Sequence, residues 1–170
     1  QSSSSIPWSC VLPDDANAGL KELKFRVTSS SRPSFSATSS EIYTIEPIWG
    51  MSGVIEIVFS ESELSIPSSG GSSVMLTITN LANAQVTGSL SLEGVGDGLV
   101  AHEWVRLLDN VSTNEFTLTA GSSMQYNLGL NSLVSTSEQA SLNVRATYVI
   151  GEATQSDVSS PLDVDVVGPE

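Results

Sequence analysis

From residue 54 onward, apolar side chains recur at every second position in short stretches bounded by Ser, Gly, Asn and Asp. That period turns one face of each stretch inward and leaves the other in water, as in a half-buried strand. Val74, Leu76 and Ile78 alternate with other residues in SVMLTITN, and Val86, Gly88, Leu90 and Leu92 do so in QVTGSLSLEG. HEWVRLL, EFTLTAG and SMQYNLGL follow, then Leu142, Val144, Ala146 and Tyr148 in SLNVRATY, and Leu162, Val164 and Val166 in PLDVDVV. No stretch of comparable length carries apolar residues at i, i+3, i+4 and i+7, so helix is expected to be nearly absent. A short turn within DDANAGLKEL, capped by Asp14, is the one candidate. About seven short strands separated by turn signals predict an all-β fold, an antiparallel immunoglobulin-like β-sandwich over residues 54–168. No cysteine pair brackets a tryptophan, so the core is expected to be disulfide-free, with Trp104 as the largest side chain to fill it.

The start of the chain carries the same pattern. SSSSIPWSCVL lies over AGSSMQYNLGL at a shift of 118 residues, which places Ile6 on Met124, Trp8 on Tyr126 and Leu12 on Leu130. A shift of 119 lays Leu23, Arg26 and Thr28 on Leu142, Arg145 and Thr147, and Tyr43, Ile45 and Pro47 on Leu162, Val164 and Val166. A period this long exceeds a solenoid unit and fits a string of sandwich domains. Residues 1–50 are therefore expected to be a partial immunoglobulin-like unit, the last three strands of a preceding repeat, joined to the complete sandwich through WGMSG. Its apolar face, made by residues including Trp8, Leu23, Phe25, Tyr43 and Ile45, would have no second sheet over it. The cover is either another protein domain, such as the complete sandwich folding back across WGMSG, or the same strands of a second copy, and the second copy is the expectation because the outer face of a finished sandwich is polar.

Charge narrows the partners. With 19 acidic and 6 basic residues the formal net charge is −13, a field that repels phosphate backbones and anionic headgroups. Neither nucleic acid nor a membrane surface is expected as a partner, and no stretch of about 18 apolar residues is present to insert into a bilayer. The first residue is Gln1, and any secretion signal is expected to have been removed already. Cys10 has no second cysteine to pair with and is expected to be a small buried hydrophobe on a strand.

SELSIPSSGGSSVMLTITNLANAQVTGSLSLEG, with the later FTLTAGSSMQYNLGL and ASLNVRATY, resembles the prokaryotic immunoglobulin-like modules of the CARDB and α-galactosidase-associated type. In those modules a strand reading v-x-l-t-i-t-N leads into a turn and an l-x-a-G-x-s stretch opens a later strand. Here these fall on Val74 to Asn80 and on Leu118 to Ser123. The resemblance covers residues 55–167 and implies an extracellular or cell-surface protein of a bacterium or archaeon. It brings no catalytic residues.

Candidate chemistry is sparse. His102 is the only histidine, so a multi-histidine metal site is excluded, and no G-x-S-x-G elbow accompanies it. GVGDGL at residues 94–99 opens no helix and reads as a turn, not a phosphate cradle. Asp14, Asp15, Asp97, Asp163 and Asp165 are the carboxylates that loops at a domain junction could offer to calcium, yet none sits in a ligand pattern. Asp163 and Asp165 alternate with Val164 and Val166 and so belong to a solvated strand face. No metal, cofactor or catalytic residue is expected. Asn110, Val111 and Ser112 form the one glycosylation sequon, in a polar loop. The expected role is a non-catalytic surface module for spacing, adhesion or assembly; the alternative is an accessory, carbohydrate-associated domain of a secreted hydrolase.

Overall fold

The computed structural model describes residues 5, 7–13, 16–49 and 53–168. The chain divides into two compact units, Gln1–Glu46 and Pro47–Glu170. In the first unit, β1 (Gly19–Thr28) and β2 (Ser36–Ile45) form one antiparallel hairpin. The second unit holds β3 (Ile55–Phe59), β4 (Glu63–Pro67), β5 (Gly71–Asn80), β6 (Val86–Val95), β7 (Val100–Arg106), β8 (Val111–Ser112), β9 (Glu115–Leu118), β10 (Ser123–Ser132), β11 (Glu138–Ile150), β12 (Ala153–Val158) and β13 (Leu162–Val167). Among the described residues the only helical turn is a 3₁₀ turn at Asp97–Leu99.

The second unit is an immunoglobulin-like β-sandwich. One sheet runs β3-β5-β10-β7-β8, and the other runs β4-β13-β11-β6-β9 with β12 added on β11. The alternation read from the sequence sets what lies between them. Val74, Leu76 and Ile78 of β5 and Tyr126, Leu128 and Leu130 of β10 share one core with Leu142, Val144 and Ala146 of β11 and Leu162 and Val164 of β13. Burying each large side chain of this kind stabilises the fold by about 1.5–3 kcal/mol. Trp104 joins the core, with its ring edge-on to Tyr126 at 6.4 Å between centroids.

Two features depart from the expected pattern. The sandwich is antiparallel except at β4, which lies parallel to β13 with Leu64 opposite Val164 and Ile66 opposite Val166. In addition, one edge of β11 is shared. β13 pairs with residues 138–142 and β12 with residues 145–150. Ser159 fills the break between them: its Oγ accepts from the Val144 N–H at 2.9 Å and donates to the Ser160 carbonyl at 2.7 Å. The helical turn expected in DDANAGLKEL is also corrected, since Gly19 to Leu23 belong to β1, where a ladder with β2 takes their backbone groups.

The motif asparagine has a physical role. Asn80, at the end of β5, has no solvent exposure, so each of its polar atoms needs a partner inside the protein. Its Nδ2 donates to the carbonyls of Ala84 at 2.7 Å, Thr119 at 3.0 Å and Leu118 at 3.2 Å, and its Oδ1 accepts from the Ala82 N–H at 3.0 Å. One side chain thus ties the turn after β5 to the loop that leaves β9. Asn80→Ala is expected to destabilise the sandwich by about 1–3 kcal/mol, because the buried Leu118 carbonyl, the buried Ala82 N–H and two part-buried carbonyls lose their partner. Urea unfolding followed by tryptophan fluorescence measures this, and a loss below about 0.5 kcal/mol, the scale of a neutral surface change, would contradict it.

Candidate functional site

The hairpin of the first unit pairs across its full length, from Gly19 opposite Ile45 to Thr28 opposite Ser36. Directly paired residues share a face, so Lys21, Leu23, Phe25 and Val27 lie on one side with Tyr43, Glu41, Ser39 and Ala37. Trp8 packs on Phe25 at 4.8 Å between ring centroids. Even so, no described residue of this unit is buried. The expected first strand has no counterpart over residues 7–13, and the rest of that stretch lies outside the described residues. Pro7 and Pro13 bracket it, and neither can donate to a ladder. Cys10 is exposed and on no strand, which corrects its expected burial.

The hairpin nevertheless repeats the alternation of the end of the sandwich, with its pairing offset by two residues: Lys21 faces Tyr43, whereas Ala140 faces Val164. A shift of 119 residues carries β1 onto residues 138–147 of β11, and carries residues 36–39 of β2 onto β12 and residues 43–45 onto the start of β13. The inward set on β11 includes Ala140, Leu142 and Val144 and on β13 Leu162 and Val164, all buried. Their counterparts Lys21, Leu23, Phe25, Tyr43 and Ile45 are the half-buried positions of the hairpin. Both pairs of strands therefore turn the same alternate positions toward a core, and only one pair has a core to meet.

The residues singled out for chemistry do not converge. His102 is exposed on β7, edge-on to Trp104 at 6.0 Å. Asp163 and Asp165 are exposed on β13, with Asp165 accepting from Gln139 Nε2 at 2.8 Å and Asp163 in register with Glu63. Asp14 and Asp15 lie outside the described residues, as does the side chain of Asp97. Among the described residues no group of three or more His, Cys, Asp or Glu is placed to hold a metal ion. Trp104 fills the core as expected, whereas Trp8 and Trp49 are exposed.

Two polar sites that sequence reasoning passed over are built on strand ends. Asp157 on β12 accepts through Oδ2 from the Val54 N–H at 3.0 Å, the Ile55 N–H at 2.8 Å and the Tyr148 hydroxyl at 2.6 Å. It clamps the entry of the sandwich, and a side chain at Gly53, where φ is 90°, would collide with its carboxylate. Burial, and next the bond to Asp157, push the Tyr148 phenol above its ordinary value. At the tip of the β7–β8 hairpin, Arg106 forks onto Asp109 at 2.9 and 2.6 Å. This pair holds the Asp109 carboxyl below its ordinary range. Next to them Asn110 is exposed with a left-handed φ of 55°. An open groove of about 550 Å³ runs beside Arg106, Asp109 and Glu115.

No known family's sequence profile matches the chain, and no curated protein matches it. Solved structures align with it at low identity. The cupredoxin domain of amoB from Nitrosocaldus yellowstonii aligns at 14% identity over 67% of this chain and 86% of that one, with a TM-score of 0.46. The ASH / PapD-like domain of human CEP192 aligns at 7% over 75% and 96%, with a TM-score of 0.42. Domains 4 and 5 of the S-layer protein SbsC align at 9% over 93% and 82%, with a TM-score of 0.40. Likenesses this distant assign no function to the chain.

The buried phenol of Tyr126 sets a pH limit. Its hydroxyl donates to the Glu115 carbonyl at 2.7 Å, and burial pushes its pKa up to about 12, against the opposing pull of Arg106. The unfolded phenol loses its proton near pH 10 while the folded one holds it, so this contribution is complete below pH 10 and is lost as pH rises toward 12. Stability is expected to fall steadily over that window. In Tyr126→Phe the fall is shallower, and pH-resolved urea melts that show equal slopes for both proteins would contradict this.

Proposed function

We propose that the chain is a non-catalytic module of an extracellular surface assembly: a complete sandwich preceded by the closing strand pair of another, whose apolar face is covered by the same face of a second copy. The observation that supports this reading is the inward alternation that β1 and the end of β2 share with β11 and β13, on a hairpin with no buried residue among those described. Charge supports self-pairing. Lys21 and Glu41 lie on the apolar face, and a two-fold axis across that face brings the lysine of one copy toward the glutamate of the other. A net charge of −13 suits a soluble surface in salt water, and Trp8, Phe35 and Trp49 are exposed aromatics that an accessory carbohydrate-associated role would use instead.

The contact is small. Two ten-residue strands present about 330 Å² of sheet area, against about 800 Å² per partner in a standard stable interface, so pairing is expected to be weak and concentration-dependent. Light scattering after size exclusion is expected to show a monomer shifting to a dimer as concentration rises. Phe25→Glu removes the shift, Lys21→Glu weakens it, and adding Glu41→Lys to Lys21→Glu restores it. A monomer at every concentration, with residues 1–48 protected from protease, would reject the pairing.

The non-catalytic assignment has its own test. A panel of glycosidase, esterase and peptidase substrates is expected to show no turnover. Turnover that vanishes in His102→Ala would overturn the assignment.

A further inference from the structure

We propose that Asn110 is an N-glycan acceptor and that the sugar covers an apolar tip of the sandwich. The sequon Asn110-Val111-Ser112 falls at the turn between β7 and β8, where Asn110 is exposed with a left-handed backbone. Asparagine tolerates that conformation better than most residues, which by itself explains a turn and nothing more. The neighbours call for a second explanation. Leu107 is 43% exposed, Leu108 82% and Val111 42%, so three large apolar side chains cluster around a turn where polar residues would cost nothing. A sugar ring on Asn110 lays its C–H face over such a tip and turns its hydroxyls to water.

The local hydrogen bonds favour presentation of the acceptor. The Arg106–Asp109 fork fixes the turn from inside, and no hydrogen bond among the described residues engages the Asn110 amide. The Ser112 hydroxyl, which a transferase reads as the second half of the sequon, is exposed and donates only to Glu103 Oε1 at 3.2 Å. In the transfer, Asn110 Nδ2 bonds to the anomeric carbon of a lipid-phosphate-linked oligosaccharide. The carbon–oxygen bond to phosphate breaks with its electron pair, and one amide proton passes to a carboxylate of the transferase. The inference rests on the extracellular reading for its setting and not on the pairing of copies.

The test is the intact mass of the full chain, secreted by cells with an oligosaccharyl transferase. One added oligosaccharide is expected, retained in Ser112→Thr and lost in Asn110→Gln and in Ser112→Ala. Asn110→Gly, which keeps the left-handed turn, is expected to be secreted folded and unmodified. Enzymatic removal of the sugar is expected to increase binding of a hydrophobic dye, and Leu107→Ser with Leu108→Ser to abolish the increase. A secreted, folded chain of unmodified mass would overturn the acceptor role, as would a sugar that survives Asn110→Gln. Unchanged dye binding would overturn the covering role. Failure of the pairing of copies would leave all of these masses as they are.

Discussion

A strand with period-two alternation makes one face of its sheet apolar, and that face has to be kept from water by something else. In the second unit the obligation is met internally: two sheets present Leu76, Leu128, Val144 and Leu162 to one another, and all four are inaccessible to solvent. In the first unit the same alternation produces Leu23, Phe25, Tyr43 and Ile45 on one side of a two-stranded ribbon. An isolated hairpin of that kind is marginal in water. The hairpin thus carries the alternation of a sandwich strand pair with no buried residue among those described.

Covering apolar faces brings a second obligation, since every backbone group trapped at a corner of the sandwich must find a partner. Three side chains meet it. Asn80 ties the turn after β5 to the loop after β9, Ser159 bridges the gap between β12 and β13, and Asp157 holds the first amides of the sandwich. Among the described residues no buried side-chain nitrogen or oxygen is left without a partner. These residues sit where ladders end or change sheets, which is where regular pairing stops supplying bonds.

The strands that form the centre of the fold were legible because packing on one face writes itself into local sequence: β5, β10, β11 and β13 all read as alternating runs. β12 left no such trace. Its residues Ala153 to Val158 are exposed almost throughout, and the strand exists because the C-terminal half of β11 offers it a ladder. The parallel pairing of β4 with β13 is likewise a relation between segments about 100 residues apart, invisible to any local pattern. Cys10 was misread for a related reason. Alternation in SIPWSCVL promises a buried face, but Pro7 and Pro13 interrupt the backbone and no second layer is present in that unit to bury anything. Asp157 sits in a polar run with no motif around it, so its clamp on Val54 and Ile55 appears only in three dimensions.

The parallel ladder between β4 and β13 bears on how the sandwich carries load. β4 lies near the entry of the domain and β13 at its exit, and residues 63–67 run beside residues 163–167 in the same direction. The Asp163 N–H to the Ser62 carbonyl at 2.9 Å and the Ser68 N–H to the Val167 carbonyl at 2.7 Å extend the contact at either end. Tension that reaches β4 from its N-terminal side and β13 from its C-terminal side pulls these strands past each other along their length. The bonds of the ladder are then strained together in shear, where a hairpin opened from one end would release them singly. A load that reaches β4 and leaves through β13 thus meets resistance in shear, after β3 has passed it on from the other sheet.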